Sequence, residues 1–181
     1  MVIVINLFEI EKGHTYDSSP VIDSDGSLLG TTRMVHIADY ECFYEKSYYE
    51  EGNHGAQVYN TAVGKVGVAI CYDRHYPEFM RALGVKGAEV VVIPQAGTIG
   101  EWPDGLYEAE LQVASFHNGY FCALANRVGK EDQMEFAGES VFRVSSVSGE
   151  GIKELLNFLA EVVKAERQSD LQSTEHRNSD S

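Results

Sequence analysis

Val2 to Phe8 are apolar except for Asn6, so an extended chain would carry apolar side chains on both faces here, which predicts a buried strand. Glu9 to Pro20 is polar and reads as a connection leading to Val21-Ile22-Asp23. Ser24-Asp25-Gly26 has an Asp-Gly turn signature, and a strand from Ser27 towards Ile37 completes a hairpin. The run Asp23-Ser-Asp25-Gly resembles the start of a calcium loop, but the later acidic ligands and closing Glu are missing, so the hairpin reading stands. Residues 38–55 mix Tyr40, Phe43, Tyr44, Tyr48 and Tyr49 with Glu41, Glu45, Glu50 and Glu51. A loop of that length in a compact domain is usually functional or packed on itself. Gln57–Asn60 and Val66–Cys71 pair around a Gly64 turn, and Pro77–Val85 is helical, with Pro in the first turn where its missing N–H costs nothing. Val90–Ile93 is a buried strand ended by Pro94, Tyr107–Asn118 a helix closed by Gly119, and Phe121–Val128 a further strand. Strands alternating with helices make this an α/β chain.

Beyond about residue 140 the character changes. Val141–Ser148 is strand-like, and Gly149-Glu150-Gly151 is a turn. Ile152, Leu155, Leu156, Leu159, Val162 and Val163 then form an apolar stripe at helical spacing. Residues 166–181 are polar and read as a disordered tail, so the domain reading is 1–140, 141–165 and 166–181. At 181 residues the chain has room for one ordinary domain. The net charge of −14 argues against nucleic acid or an anionic membrane as partner, since phosphate neutralisation needs basic surface. No apolar run has membrane-spanning length, and the opening Met1–Ile5 lacks the basic flank of a signal peptide. Cys42, Cys71 and Cys122 are odd in number and scattered, which fits free thiols in a reducing, cytoplasmic setting. The six histidines show no paired ligand spacing, so no metal and no cofactor are expected. His36 and His75 read as pocket-wall or hydrogen-bonding residues.

The segment Val66-Gly-Val-Ala-Ile-Cys71-Tyr72-Asp73-Arg74-His75-Tyr76-Pro77-Glu78 carries the chemistry. It places a cysteine at the carboxyl end of a strand, just before a helix, and ligand sites of α/β sheets lie at that edge. A thiol beside a helix start and a cation such as Arg74 has its thiolate favoured, as a nucleophile requires. Backbone N–H groups at such a turn can stabilise an oxyanion. Cys42, in a loop, and Cys122, inside a strand, read as structural.

From about Val2 to Ser140 the chain resembles the nitrilase, or carbon–nitrogen hydrolase, superfamily, most closely its β-ureidopropionase and N-carbamoyl amidase branch. The resemblance rests on Ser27-Leu-Leu-Gly, Arg33-Met-Val-His36-Ile37, Phe43-Tyr-Glu45-Lys46-Ser-Tyr-Tyr, Glu51-Gly52-Asn53 and Gly67–Glu78. It continues through Gly87-Ala-Glu-Val, Asn118-Gly-Tyr-Phe, Asn126-Arg127-Val128-Gly129 and Phe136-Ala-Gly-Glu-Ser140, in matching order and spacing. It implies an α-β-β-α sandwich, here partial and incomplete at both ends, usually assembled as homo-oligomers. It also implies a Glu-Lys-Cys catalytic set acting on a small carbamoyl or amide substrate. Cys71 matches the nucleophile, Tyr72 the residue whose amide faces the oxyanion, and Glu45 the additional loop glutamate. Arg74 matches the arginine that pairs with a substrate carboxylate, a job suited to a planar bidentate fork. His75 is taken as substrate-binding with it.

Three departures from the family pattern shape the functional expectation. The lysine of an Arg-Lys-x-His pattern is replaced by Met34, and a thioether cannot stabilise an oxyanion by charge. The family's glutamate base lies before the region where this sequence opens, and Glu9 and Glu11 occupy other positions. Residues 142–164 resemble the end of a P-loop GTPase domain, although no phosphate loop or Asn-Lys-x-Asp element occurs. The leading expectation is therefore a carbon–nitrogen hydrolase using Cys71 on an N-carbamoyl amine or N-carbamoyl-β-amino acid, with impaired turnover. Behind it stand an inactive nitrilase-like fragment with a structural or oligomerising role and, last, a GTP-binding module.

Overall fold

In the computed structural model the description covers residues 1–138 and the backbone of 140–143, all within one unit, Met1–Val147. The expected strand continuation, helix and tail over 144–181 lie outside the described residues. The first sheet is built on one long strand. β1 (Ile3–Val4) and β2 (Leu7–Glu11) lie along β3 (His14–Ile22), and β4 (Leu28–Arg33) pairs with β3 as well. Gly26, at φ +88°, and Asp25, whose carboxylate accepts the Ser27 amide at 2.9 Å, close the β3–β4 turn as the Asp-Gly signature predicts.

Two expectations change here. The apolar run at 2–8 is broken at Ile5-Asn6 and is not buried: Leu7, Phe8 and, further on, Ile10 stand exposed. The polar stretch read as a connection holds the end of β2, a turn and most of β3, with Asp17, Ser18 and Ser19 buried. Neighbouring polar groups satisfy them. Asn6 donates to Asp17 at 2.6 Å and to Ser19 Oγ at 3.2 Å, and Ser18 Oγ donates to Glu9 at 2.5 Å. On the outer face Arg33 donates to Glu9 twice and to Glu11 at 2.7 Å, and lies 4.0 Å over the Tyr16 ring. That pairing holds the Glu9 carboxyl down at about 2.

Residues 38–55 form a loop, as their length predicts, pinned by the two-residue pair β5 (Asp39–Tyr40) and β6 (Phe43–Tyr44) and by a 3-10 turn, Glu45–Ser47. The second sheet is formed by β7 (Gln57–Thr61), β8 (Gly64–Val68), β9 (Val90–Gln95), β10 (Phe121–Asn126) and β13 (Ser140–Arg143), in the order β13-β10-β9-β8-β7. β8, β9 and β10 are parallel, with antiparallel strands at both edges. β9 does not stop at Pro94. Its partner β8 ends at Val68, opposite Val92, so the missing Pro94 N–H falls where no ladder continues on that side. A small hairpin, β11 (Val128–Lys130) with β12 (Glu135–Ala137), completes the strands.

α1 (Pro77–Val85) and α2 (Leu106–Asn118) cover one face of the second sheet, and Gly119 ends α2 at φ +70°. Phe79, Met80 and Leu83 of α1 and Leu111 of α2 pack on Ala69, Val91 and Ile93. On the other face Val68 and Ile70 meet Val21, Met34 and Ile37 of the first sheet and the segment after it. Among the described residues the layers are therefore sheet, sheet, helices. No helix among them is long and apolar enough to cross a membrane.

Candidate active site

Cys71 follows β8 at the carboxyl edge of the second sheet and opens a 3-10 turn, Cys71–His75, which runs into α1. Its φ is +44°, a left-handed conformation that non-glycine residues adopt at a cost of about 1 kcal/mol or more. A sharp strand-to-helix turn of this kind lifts the side chain off the sheet. The surroundings hold the turn in place. Asp73, fully buried, accepts from the Ile70 amide at 3.3 Å, the Val35 amide at 3.2 Å and the His36 amide at 2.9 Å. The His36 ring sits 2.7 Å from the same carboxylate and stacks on Tyr76 at 3.6 Å. One carboxylate thus clips the segment after β4 to the turn that carries Cys71. Beyond β4 the Met34 amide still donates to the Asp17 carbonyl, and the Val35 and His36 amides then turn to Asp73.

The first two amides of a helical turn have no carbonyl partner inside it, so the Tyr72 N–H is available for a developing oxyanion. Burial pushes the Cys71 thiol up to about 12, with Arg74 and the Ala96 amide pulling the other way and Glu45 and Asp17 adding to the rise. The thiol needs a base to lose its proton at neutral pH.

Two of the carboxyls that act on the thiol's charge are themselves shifted. Glu45 is buried, accepts the Ala38 amide at 3.2 Å, and is pushed up to about 7 by burial, with Asp17 and Glu101 adding to it. Asp17 is pushed up to about 6, again mainly by burial. Glu101 accepts the Tyr40 hydroxyl and the Thr98 amide. Met34 is fully buried and packs in the same apolar cluster as Cys71 and Tyr72. Lys46 and Lys65, the neighbouring ammonium groups in sequence, are both exposed. Glu9 and Glu11 serve Arg33 on the outer face.

Arg74 is buried and His75 half-buried, in ways that spacing did not show. The Arg74 side chain is only 2% exposed. Its Nη1 donates to the Cys71 carbonyl at 2.9 Å, Nε lies 3.5 Å from Glu110, and the guanidinium sits 4.4 Å over the Tyr107 ring. His75 Nδ1 lies 2.5 Å from Glu110, and its ring packs on Trp102 at 4.7 Å and Tyr72 at 5.1 Å. Tyr40, Tyr72 and Trp102 continue this aromatic wall. Sequence reading missed Asp17, Asp73 and Glu101. Asp73 stood inside the quoted motif, but nothing in its spacing marked it as the clip.

These shifts set a pH dependence of stability. Asp17 and Glu45 ordinarily lose their protons near 3.8 and 4.5, but in the fold they keep them to about 6 and 7. Between those limits the folded chain binds more protons than the unfolded one, so stability falls as pH rises through that window. Glu9, depressed to about 2, acts only at lower pH and with the opposite sign. Thermal melts at pH 5 and pH 7.5 should show the higher midpoint at pH 5, and Asp17→Asn should shrink the difference.

Cys71 thus stands in a strained turn at a sheet edge, held from behind by the Asp73 carboxylate. The profile of the carbon-nitrogen hydrolase family matches residues 1–175, and the chain belongs to that family. The match takes in residues 142–164, where the sequence had also resembled a GTPase end, so the family accounts for that stretch. Among similar proteins are a β-ureidopropionase of Arabidopsis thaliana, 38% identical over 72% of this chain and 33% of its own, and an N-carbamoylputrescine amidase of Solanum tuberosum, 38% identical over 72% and 45%. A carbon-nitrogen hydrolase from Helicobacter pylori G27 superposes with TM-score 0.71 and 34% identity, over 78% of this chain and 53% of that one. A mutant amidase from Nesterenkonia sp. AN1, carrying the product of Michael addition of acrylamide at its active-site cysteine, superposes at 0.70 with 26% identity, over 78% and 54%. The fold is nitrilase-like α/β. The chain spans a third to about half of the length of these relatives.

Proposed function

We propose that the chain carries the thiol half of a hydrolase for small-molecule amide or N-carbamoyl C–N bonds, with Cys71 as nucleophile. The observation that carries this reading is the Cys71 turn itself: a positive φ and a buried carboxylate clip behind it. In this reading the sulfur attacks the carbonyl carbon, the Tyr72 amide receives the oxyanion, and Glu45 bears on the substrate nitrogen. The named relatives differ in what lies beyond the carbamoyl group. A carboxylate-bearing substrate would need Arg74 to release its present partners, and His75 likewise is held by Glu110. We therefore assign Arg74 first to shaping the Cys71 turn, with substrate pairing, the role of Arg74 and His75 that the resemblance implies, as the alternative. We further propose self-association, which sedimentation velocity would register, and a reducing compartment suited to three free cysteines.

Turnover is impaired in this reading because Met34 occupies the position of the family's ammonium. Ammonia release from N-carbamoyl-β-alanine, N-carbamoylputrescine and butyramide tests it. Detectable but slow release is expected, and Met34→Lys should raise it about a hundredfold, the worth of one oxyanion donor. Brisk wild-type turnover would contradict the impairment. No release from either form would favour the non-catalytic, oligomerising alternative.

A further inference from the structure

The Cys71 turn holds a cation against the backbone of the nucleophile, and a carboxylate of α2 stands over it. Arg74 Nη1 donates to the Cys71 carbonyl at 2.9 Å. The remaining edge of a planar guanidinium in that place is suited to a ligand carboxylate. Tyr107 and Glu110 lie one turn apart in α2, so they share a face of that helix. The Tyr107 ring lies 4.4 Å from the guanidinium, and Glu110 Oε2 lies 3.5 Å from Arg74 Nε. The other oxygen of Glu110 is 2.5 Å from His75 Nδ1. One carboxylate thus engages both residues that the family resemblance assigns to the substrate.

The pairing is close but not saturated. Among the described residues Arg74 Nε, Glu110 Oε2 and His75 Nε2 are buried without a hydrogen-bond partner. Arg74 makes one side-chain hydrogen bond among them, the one to the Cys71 carbonyl. Its side chain is 2% exposed against 22% for Glu110, so the arginine has little water to turn to. A buried guanidinium with unfilled donors suits a second oxyanion. Any such oxyanion meets the charge of Glu110 first, and like charges brought together in a buried place repel.

We infer that Glu110 is a specificity-determining residue of the Cys71 site, which engages Arg74 and His75 and so excludes substrates with a carboxylate beyond the carbamoyl group. The inference rests on the hydrolase reading above. With Glu110 in place the favoured substrates are simple amides and N-carbamoyl amines, whose far end is neutral or cationic. With Glu110 neutralised, the Nε edge of Arg74 is free to pair with the carboxylate of an N-carbamoyl-β-amino acid. A Glu110 that only held the turn in shape would act differently, since its loss would slow every reagent alike.

Iodoacetate and iodoacetamide alkylate the same sulfur and differ by a carboxylate in place of a carboxamide. The ratio of their rates at Cys71, read on its peptide by mass spectrometry and divided by the ratio for N-acetylcysteine, reports carboxylate recognition without turnover. The wild type should give a value below one. Glu110→Gln, which keeps an acceptor for His75, should raise it about tenfold or more. Glu110→Asp, which draws the carboxylate back by one methylene, should raise it in part. Loss of a negative charge by itself also favours iodoacetate, so the gain should vanish when Arg74→Gln is combined with Glu110→Gln. A wild-type value above one would overturn the inference. So would a Glu110→Gln protein that melts normally and keeps the wild-type value, or a gain that survives the loss of Arg74. Should Glu110→Gln not fold, an unchanged value in Glu110→Asp would overturn it equally. In turnover, Glu110→Gln should shift kcat/KM for N-carbamoyl-β-alanine over N-carbamoylputrescine in the same direction. A labelling ratio that responds to Glu110 without any hydrolysis would sink the hydrolase reading alone, and hydrolysis with an unresponsive ratio would sink the role of Glu110 alone.

Discussion

Cys71→Ala is expected to abolish hydrolysis, taking turnover at least about 10⁴-fold down to the uncatalysed background. Sulfur is the atom that forms the covalent intermediate in the proposed reaction, and a methyl group cannot replace it. The other two thiols are poor substitutes for separate reasons. Cys42 lies exposed in the loop after β5, and Cys122 is buried in β10, where burial pushes its thiol up to about 11. Cys42→Ser should leave turnover unchanged, which makes it the control. Because alanine tolerates φ +44° no better than cysteine does, Cys71→Gly should melt higher than Cys71→Ala while being equally inactive.

Asp73→Ala should cost about 3–5 kcal/mol of stability, read as a shift in the urea midpoint at unchanged slope. Removing the carboxylate strands the Val35, His36 and Ile70 amides and the His36 ring in the interior, and an unsatisfied buried donor costs about 1–3 kcal/mol. Burial raises the Asp73 pKa, and the His36 hydrogen bond is the leading influence against that rise. Asp25→Ala, at an exposed turn, should stay within about 1 kcal/mol. The clip also joins the Met34 segment to the Cys71 turn, so any Asp73→Ala protein that folds should label more slowly at Cys71. A loss of under about 1 kcal/mol would show that the clip is not formed in solution.

Much of this was legible in the sequence where hydrophobic period and punctuation agree. The Asp-Gly turn, the β7–β8 hairpin, α1 starting at Pro77 and α2 closing at Gly119 all follow from local rules. So does the Cys71 turn, because an apolar strand, a cysteine and a helix start follow one another directly. β3 was not legible. Tyr16-Asp17-Ser18-Ser19-Pro20 has neither alternation nor β-branched residues, and it is buried because Asn6, Glu9 and Arg33, distant in sequence, satisfy its polar groups. The opening apolar run misled in the opposite sense, since its side chains stay largely exposed among the described residues. Arg74 shows a third limit. Residue type and spacing suggested a carboxylate binder, whereas the fold brings Glu110 and Tyr107 of α2 against it. Such three-dimensional neighbours leave no periodic trace.

The central claim, that Cys71 forms the covalent intermediate, is tested most directly by acid-quenching the protein during incubation with an N-carbamoyl or simple amide substrate and locating the acyl adduct by peptide mass spectrometry. The account predicts an adduct on the peptide containing Cys71, absent from Cys71→Ala and gained more strongly by Met34→Lys. Substrate turnover that persists in Cys71→Ala, or an adduct carried on Cys42 instead, would contradict it.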